Sequence, residues 1–439
     1  MTLPPDSLAI LAEGLASARR RLPTRAAVDR RHDRLARRHL PWLLAHSRWT
    51  DQRFTRAGLR AAQWRDLPVV EKPDLMANFD LNNTVGVRLD DVLDLARRAE
   101  ATRDFTTPLV TPRGEVTVGL STGTSGAQGA FVVSRRDRLH WAGTILASLF
   151  RPFPWLLRRP QRVAFFLRAD GGLYRSAESR RVRITFFDLL RPVSELAETL
   201  STTAPTLIVG PPSVLRAVAR AGGTARPALV VSVAEVLEEA TAYFLREHFA
   251  APVVQIYQAT EGLLGLPCRD GELHLAEEHV HVEPEPLEHG LSRPVISDLR
   301  RRAQPFLRYR LNDLLELGDE CSCGSATRRI ARIVGREDDA LRLPGARCTV
   351  TVWPDFVRSA LSGIPGLQEY RVVQAAPNTV RIEIEPWRPA LGHRVRAGMA
   401  DELRRHEVDL TRVTLTVDSW KPSAPGTKLR RVIRETTQE

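Results

Sequence analysis

The stretch TLIVGPPSVLRAVARAGGTARPALVVSVAEVL, residues 206–237, sets two β-branched apolar runs, TLIVG and ALVVSVAEV, on either side of the amphipathic segment SVLRAVARAG. Strand, helix and strand in that order form the repeating unit of a parallel sheet. The alternation continues outward, with RVAFFLRA at 162–169 and RVRITFFDLL at 181–190 before it, and EEATAYFLREHF at 238–249 and PVVQIYQ at 252–258 after it. The pattern predicts an α/β protein with a large multi-sheet N-terminal domain, its helices packed on largely parallel sheets, and a small α+β C-terminal domain.

Up to about residue 105 the pattern is helical and basic, interrupted by Pro68 and Pro73 in LPVVEKPDLMANFD. Between about 265 and 335 the segments become short, alternating and rich in turns, which suggests antiparallel strands. Beyond VGREDDALRLPG the runs YRVVQA, TVRIEIEPW and RVTLTVDSW surround one helical stretch, HRVRAGMADELRRHE. The expected division is a helical N-terminal part over 1–105, the α/β body of the large domain over 106–336, and a small domain over 337–439, joined through a polar, acidic hinge.

The 439 residues carry a net charge of +12, but only Lys72, Lys421 and Lys428 are lysines, leaving 61 arginines. Those arginines are dispersed among 52 acidic residues, which argues against a dedicated nucleic-acid surface. The densest run, SARRRLPTRAAVDRRHDRLARRHLPWLL at 17–44, reads as a solvated helix face. No apolar run reaches the roughly 18 residues a membrane span needs, and MTLPPDSLAI lacks a basic region followed by an apolar core. A cytoplasmic protein without membrane contact, monomer or homodimer, is expected.

Four cysteines in so long a chain make no disulfide framework. Cys268 and His274 form a Cys-x5-His pair and Cys321 and Cys323 a Cys-x-Cys pair, enough for a closed, structural zinc site. His279, His281 and His289 compete with His274 for the fourth position, and Cys348 reads as a strand cysteine.

Residues 119–134, GLSTGTSGAQGAFVVS, hold no charge. Gly123, Gly126 and Gly129 let backbone amides approach an anion, and Ser121, Thr122, Thr124 and Ser125 add hydroxyl donors. A polyphosphate suits such a loop, although no Gly-Lys-Ser/Thr triplet makes it a Walker A sequence.

Taken in order with YQATEG (257–262), RYRLND (308–313), GREDD (335–339) and PGTKLRR (425–431), this loop resembles the motif series of the adenylate-forming superfamily. That superfamily holds acyl-CoA synthetases, peptide-synthetase adenylation domains and luciferases. The likeness is to its phenylacetate-CoA ligase and coenzyme F390 synthetase branch and spans roughly residues 65 to 435.

The resemblance implies a nucleotide- and substrate-binding large domain and a mobile lid carrying a catalytic lysine. Ser121, Thr122, Gly123, Thr124, Ser125 and Gly126 would hold the β and γ phosphates of ATP. Thr260 would contact the α-phosphate, and Glu261 would hold Mg²⁺. Tyr257 would stack on adenine flanked by Ala234 and Glu235, Asp313 would bind the ribose hydroxyls, and Arg336 would lie near ribose and phosphates. Lys428 would bridge the α-phosphate and the attacking oxyanion, and Asp338 would be the hinge of the small domain. Tyr174, Pro211 and Pro212 would line the substrate pocket, and members of the branch carry zinc in the cysteine-bearing region. Gln128 stands where the family often has lysine, and Leu311, Asn312 and Asp313 replace the common Thr-Gly-Asp.

The implied reaction is attack of a small, aromatic carboxylate on the α-phosphate of ATP, giving acyl-AMP and pyrophosphate. Transfer to CoA is an open second step, with LRLPGARCTV (341–350) as one wall of a pantetheine channel. The alternatives keep the nucleotide chemistry and change the nucleophile: nitrite, activated to diazotise an aryl amine as in bacterial secondary metabolism, or a phenolic hydroxyl, as in F390 synthetase. A non-enzymatic binding protein on the same fold is the reading from another class.

Overall fold

The computed structural model describes residues 5–102, 104, 107–120, 129–150, 153, 159–167, 178, 181–421 and 429–435. The chain divides into two compact units, Met1–Leu311 with Glu316–Ala331, and Asn312–Leu315 with Arg332–Glu439. The mixed α/β class expected from the alternating runs is the one observed.

The first unit opens with helices α1 (Pro5–Arg19), α2 (Arg25–His46), α3 (Arg48–Ala57), α4 (Lys72–Ala77), α5 (Phe79–Asn82) and α6 (Leu89–Thr102). The Thr24 side chain caps α2 by accepting from the Ala27 amide at 3.2 Å. One stripe of α2, with Val28, His32, Ala36, His39, Leu40 and Leu43, is buried. The basic run is solvated only in part, which corrects the sequence reading. Arg25 pairs with Glu277 at 2.7 Å, Arg31 donates to the Glu278 carbonyl at 2.6 Å, and Arg20 pairs with Glu278.

An antiparallel sheet of β1 (Leu109–Thr111), β2 (Gly114–Leu120) and β3 (Ala130–Ser134) leads into helix α7 (Arg135–Phe150). Helices α1 and α7 approach closely, since a Cβ on Gly143 would stand 2.6 Å from the Ile10 carbonyl oxygen.

The central sheet is wholly parallel. Its strands β4 (Gln161–Leu167), β5 (Val182–Asp188), β6 (Leu207–Gly210), β7 (Leu229–Ser232) and β8 (Val253–Gln255) run in the order β5-β4-β6-β7-β8. Every residue of β6 and β7 is buried, which is why both read as unbroken apolar runs. Phe166, Ile208 and Val230 pack with Leu196, Leu215 and Leu245 from helices α8 (Val193–Thr203), α9 (Pro212–Arg220) and α10 (Glu239–Phe249). Phe165, Val209 and Val231 alternate to the opposite face and pack with Trp141 and Leu149 of α7.

After the parallel sheet, β9 (Tyr257–Ala259), β10 (Gly262–Pro267) and β11 (Leu273–Leu275) form an antiparallel sheet. Strands β12 (Val280–Pro286) and β13 (Leu291–Asp298) pair antiparallel, with β14 (Tyr309–Arg310) also on β13. The boundary between units falls inside the next two strands, β15 (Asp313–Leu317) and β16 (Ile330–Arg336).

The second unit holds a hairpin of β17 (Leu341–Pro344) and β18 (Thr349–Val352) and a sheet in the order β21-β20-β19-β22. Those strands are β19 (Glu369–Ala376), β20 (Thr379–Glu385), β21 (Thr414–Ser419) and β22 (Val432–Arg434). Helices α11 (Pro354–Ser362) and α12 (Pro389–Arg405) bring Val357, Leu361, Val395, Met399 and Leu403 onto Val372, Ile382 and Ile384. Cys348 is exposed in the turn closed by the Gly345 amide and the Cys348 carbonyl at 2.9 Å, so it is not a strand residue. Among the described residues, no helix is long and apolar enough to cross a membrane.

Candidate active site and metal centre

The carboxyl ends of parallel strands are where α/β sheets gather ligand-binding loops. Pro211 and Pro212 follow β6 directly and are buried, and Ala234 and Glu235 lie just beyond β7. Ala234 has φ +71°, and the Glu235 amide donates to the Val233 carbonyl at 2.9 Å, which makes a γ-turn with a strained centre. The Glu235 carboxylate accepts from the Ser213 amide at 3.3 Å and joins the loops after β6 and β7.

Thr260 and Glu261 are the two turn residues between β9 and β10, closed by the pairing of Ala259 with Gly262. Gly262 has φ +151°, a conformation that residues with a Cβ rarely adopt. The Glu261 carboxylate is held at both oxygens: Thr260 Oγ1 donates to Oε2 at 2.8 Å and the Tyr309 hydroxyl to Oε1 at 3.2 Å. Thr260 and Glu261 are both partly open. One oriented carboxylate with lone pairs to spare suits a hard cation that takes its other ligands from phosphate and water. Tyr257, at the start of this motif, is 7% exposed, so little of its ring is open for stacking.

Asp313, Arg336 and Asp338 belong to the second unit. Arg336 Nε stands 3.5 Å from Asp313 Oδ1, Asn312 Nδ2 donates to Asp338 Oδ2 at 2.5 Å, and the Glu337 amide donates to the Asn312 carbonyl at 2.7 Å. The residues of RYRLND and GREDD that the sequence singled out are thus neighbours within this unit. Burial pushes the Asp339 carboxyl up, against the pull of Arg430 beside it.

Between α7 and the parallel sheet lies an apolar cavity of about 130 Å³. Trp141, Ile145 and Leu149 face it from the helix, and Phe165, Val209 and Val231 from the sheet. Ile256 and Gln258, on either side of Tyr257, also line it, whereas Pro211 and Pro212 do not. Sequence reasoning missed the α7 residues because the helix buries side chains on several faces and shows no single apolar stripe.

Cys268, His274, Cys321 and Cys323 converge in the first unit, with their ligand atoms all within 4.8 Å of one another. Cys268 Sγ and Cys321 Sγ are 3.9 Å apart, and Cys323 Sγ is 3.8 Å from His274 Nε2. Zinc–sulfur bonds of about 2.3 Å at tetrahedral angles put two sulfurs about 3.8 Å apart, so the separations fit that ion. His274 Nδ1 bonds to the carbonyl of Thr327 at 2.8 Å, the second-sphere contact that turns Nε2 toward the cluster. Amides of Asp270 and Ser325 donate to Cys268 and Cys323 at 3.3 Å. Burial, with the neighbouring thiols adding to it, pushes the Cys268 thiol up to about 12, and burial pushes the His274 imidazole down. A bound cation would reverse the cost of holding thiolates together here. The competing histidines lie elsewhere: His279 is fully buried against His140, His281 packs on His32 and Trp64, and His289 sits in a short turn.

The segment that bears the cluster also docks the N-terminal helices. The Ala326 amide donates to the Leu22 carbonyl at 2.7 Å, and Arg25 donates to the Ala326 carbonyl at 2.9 Å. Buried Glu277 accepts from the Arg328 amide at 2.7 Å as well as from Arg25.

Ser121, Thr122, Gly123, Thr124, Ser125, Gly126, Tyr174 and Lys428 lie outside the described residues.

No family model matches the chain. A stretch of 190 residues is 30% identical to the phenylacetate-coenzyme A ligase of Thermus thermophilus, covering 36% of this chain and 42% of that protein. The match therefore spans less than half the length of the relative. Among solved structures, a 2-hydroxyisobutyryl-CoA ligase in the postadenylation state, in complex with 2-HIB-AMP, superposes with a TM-score of 0.67 at 19% identity. It covers 95% of this chain and 91% of its own. ATP-bound MatB from Rhodopseudomonas palustris gives a TM-score of 0.50 at 15% identity over 72% and 65% of the two chains. The fold is that of the adenylate-forming ligases, and the resemblance read from the five motifs agrees with these likenesses.

Proposed function

We propose, for a chain that carries the fold of the adenylate-forming ligases, that it is an ATP-dependent enzyme that adenylates a carboxylate with a single-ring apolar body. The observation that carries the reading is the Glu261 carboxylate, fixed at a hairpin tip by Thr260 and Tyr309 beyond the carboxyl ends of the parallel strands. A carboxylate oxygen of the substrate would attack the α-phosphorus, and the bond to the leaving pyrophosphate would break, giving acyl-AMP. Mg²⁺ bound at Glu261 would neutralise charge on the phosphate oxygens. Thr260 would orient the α-phosphate, the strand loops at Ala234 and Glu235 would flank the base, Asp313 would take the ribose hydroxyls, and Arg336 would lie near ribose and phosphates. Lys428 would stabilise the oxyanion and the α-phosphate together.

The cavity supports the choice of substrate. An apolar cavity of about 150 Å³ stays dry and takes a benzene ring, close to the volume found behind Gln258. Acetate or nitrite would leave that space empty. The test is pyrophosphate release across aryl and short alkyl carboxylates, with nitrite plus aryl amines as a parallel arm, each with and without CoA. Single-ring acids are expected to lead; release that requires nitrite and an aryl amine would replace the carboxylate, and no release from any arm would overturn the reading. Ala142 of α7 also lines the cavity, and filling it with Ala142→Phe is expected to lower kcat/KM for the best aryl acid by about 10- to 100-fold while leaving the KM for ATP unchanged. Equal loss on acetate and on the aryl acid would remove the cavity from the substrate site.

Zinc is proposed for the Cys268, His274, Cys321 and Cys323 cluster. Four protein ligands leave no open position, so the ion would be structural. One zinc per chain is expected by metal analysis, and Cys321→Ser is expected to lose it and to lower Tm by about 5 °C or more. Full thermal stability of metal-free protein would refute the assignment.

A further inference from the structure

Residues Asp298 to Gln304 run DLRRRAQ and look like one more basic stretch. Arg301 is nevertheless among the most deeply buried large side chains, 1% exposed. Its Nη1 donates to the carbonyls of Thr260 at 2.9 Å and Glu261 at 2.6 Å, and its Nη2 to the carbonyl of Val132 at 3.0 Å. The guanidinium lies 4.7 Å from the centre of the Phe306 ring and 5.4 Å from that of Trp141. Its Nε has no hydrogen-bond partner among the described residues. The turn is itself fixed: Asp298 Oδ1 accepts from the amides of Arg300 and Arg301, both at 2.9 Å, and the His39 ring bonds to the Arg301 carbonyl at 3.0 Å. Gln304 Oε1 accepts from the Val132 amide at 3.1 Å and its Nε2 donates to the Ala130 carbonyl at 3.4 Å, so with Arg301 the same turn makes three hydrogen bonds to β3.

Stability alone is a poor account of this arrangement. The guanidinium's hydrogen bonds all go to carbonyls, and burial outweighs the attraction of the nearby Asp137, Asp298 and Glu261 carboxylates, so the arrangement carries a desolvation cost. What the fork does well is hold three carbonyls from two segments at fixed separation. One segment is the tip that carries Thr260 and Glu261. The other is β3, the strand that follows residues 119–129 in the chain.

We propose that Arg301 is a positioning residue for catalysis, which ties the Thr260–Glu261 tip to β3 and so sets where the Glu261 carboxylate stands. Its use in catalysis rests on the adenylate-forming reading. A misplacement of about 1 Å at a reacting centre costs on the order of 100-fold in rate.

Arg301→Met and Arg301→Lys test the tie by ATP–pyrophosphate exchange, Mg²⁺ titration and amide hydrogen exchange. In Arg301→Met, kcat is expected to fall by about 100-fold and the half-saturating Mg²⁺ concentration to rise by about 10-fold, while the carboxylate KM moves by less than about 3-fold. Arg301→Lys, which keeps the charge but not the fork, is expected to fall between wild type and Arg301→Met on both scales. A merely structural role would reduce the folded fraction and leave the Mg²⁺ dependence of the folded molecules as in wild type; that result overturns the proposal. Where Arg301→Met fails to fold, Arg301→Lys decides by the same split. If the wild-type protein shows no exchange with any acid, the functional reading falls. The tie is then judged by the Glu261 and Gly262 amides alone, which must exchange faster in Arg301→Lys; unchanged protection overturns it.

Discussion

Lys428→Ala is expected to remove most adenylate formation, by about 100-fold or more in kcat, while Mg·ATP still binds. A chain that places 61 arginines against three lysines keeps lysine in PGTKLRR, where the resemblance puts a charge between the α-phosphate and the attacking oxygen. An ammonium is a compact point charge with three rotatable donors, and a guanidinium is a broad planar fork. Lys428→Arg should therefore restore little. Pyrophosphate release by Lys428→Ala at the wild-type rate would remove Lys428 from the chemistry.

Glu261→Gln should be comparably damaging, for a different reason. The amide keeps the size of the side chain and can still accept from Thr260 or Tyr309, which now hold the carboxylate at 2.8 and 3.2 Å. What it loses is the negative charge that a hard cation requires. Turnover is expected to fall by about 100- to 1,000-fold, with half-saturating Mg²⁺ raised by at least about 10-fold and the carboxylate KM little changed. An Mg²⁺ titration that overlays the wild-type curve would show that the cation is held elsewhere.

The parallel sheet was legible because its central strands are buried on both faces, so LIVG and LVVS carry no alternation to confuse with anything else. The cysteine pairs were legible because ligand spacing is local. Local sequence could not tell His274 from His279 or His281; the Thr327 carbonyl that orients His274 lies 53 positions away. Cys348 misled for the opposite reason, since CTVTV extends a strand pattern that the Gly345 to Cys348 turn interrupts. Arg20, Arg25 and Arg31 looked solvated because their partners, the Glu277 and Glu278 carboxylates and the Glu278 carbonyl, are some 250 residues distant. Arg301 was hidden by abundance: nothing in DLRRRAQ marks one arginine of three as the buried one, and its acceptors are backbone carbonyls that sequence does not display.

The docking of Leu22 and Arg25 on Ala326 has a consequence for the order in which the chain assembles. Arg25 and Ala326 are 301 positions apart, so on a ribosome the first helices emerge long before the segment that receives them. Non-local closures of this length are slow, and the surfaces that await them stay exposed meanwhile. Glu277 and Glu278 follow every strand of the parallel sheet in the chain, so they become available to Arg25 and Arg20 only after those strands have been synthesised.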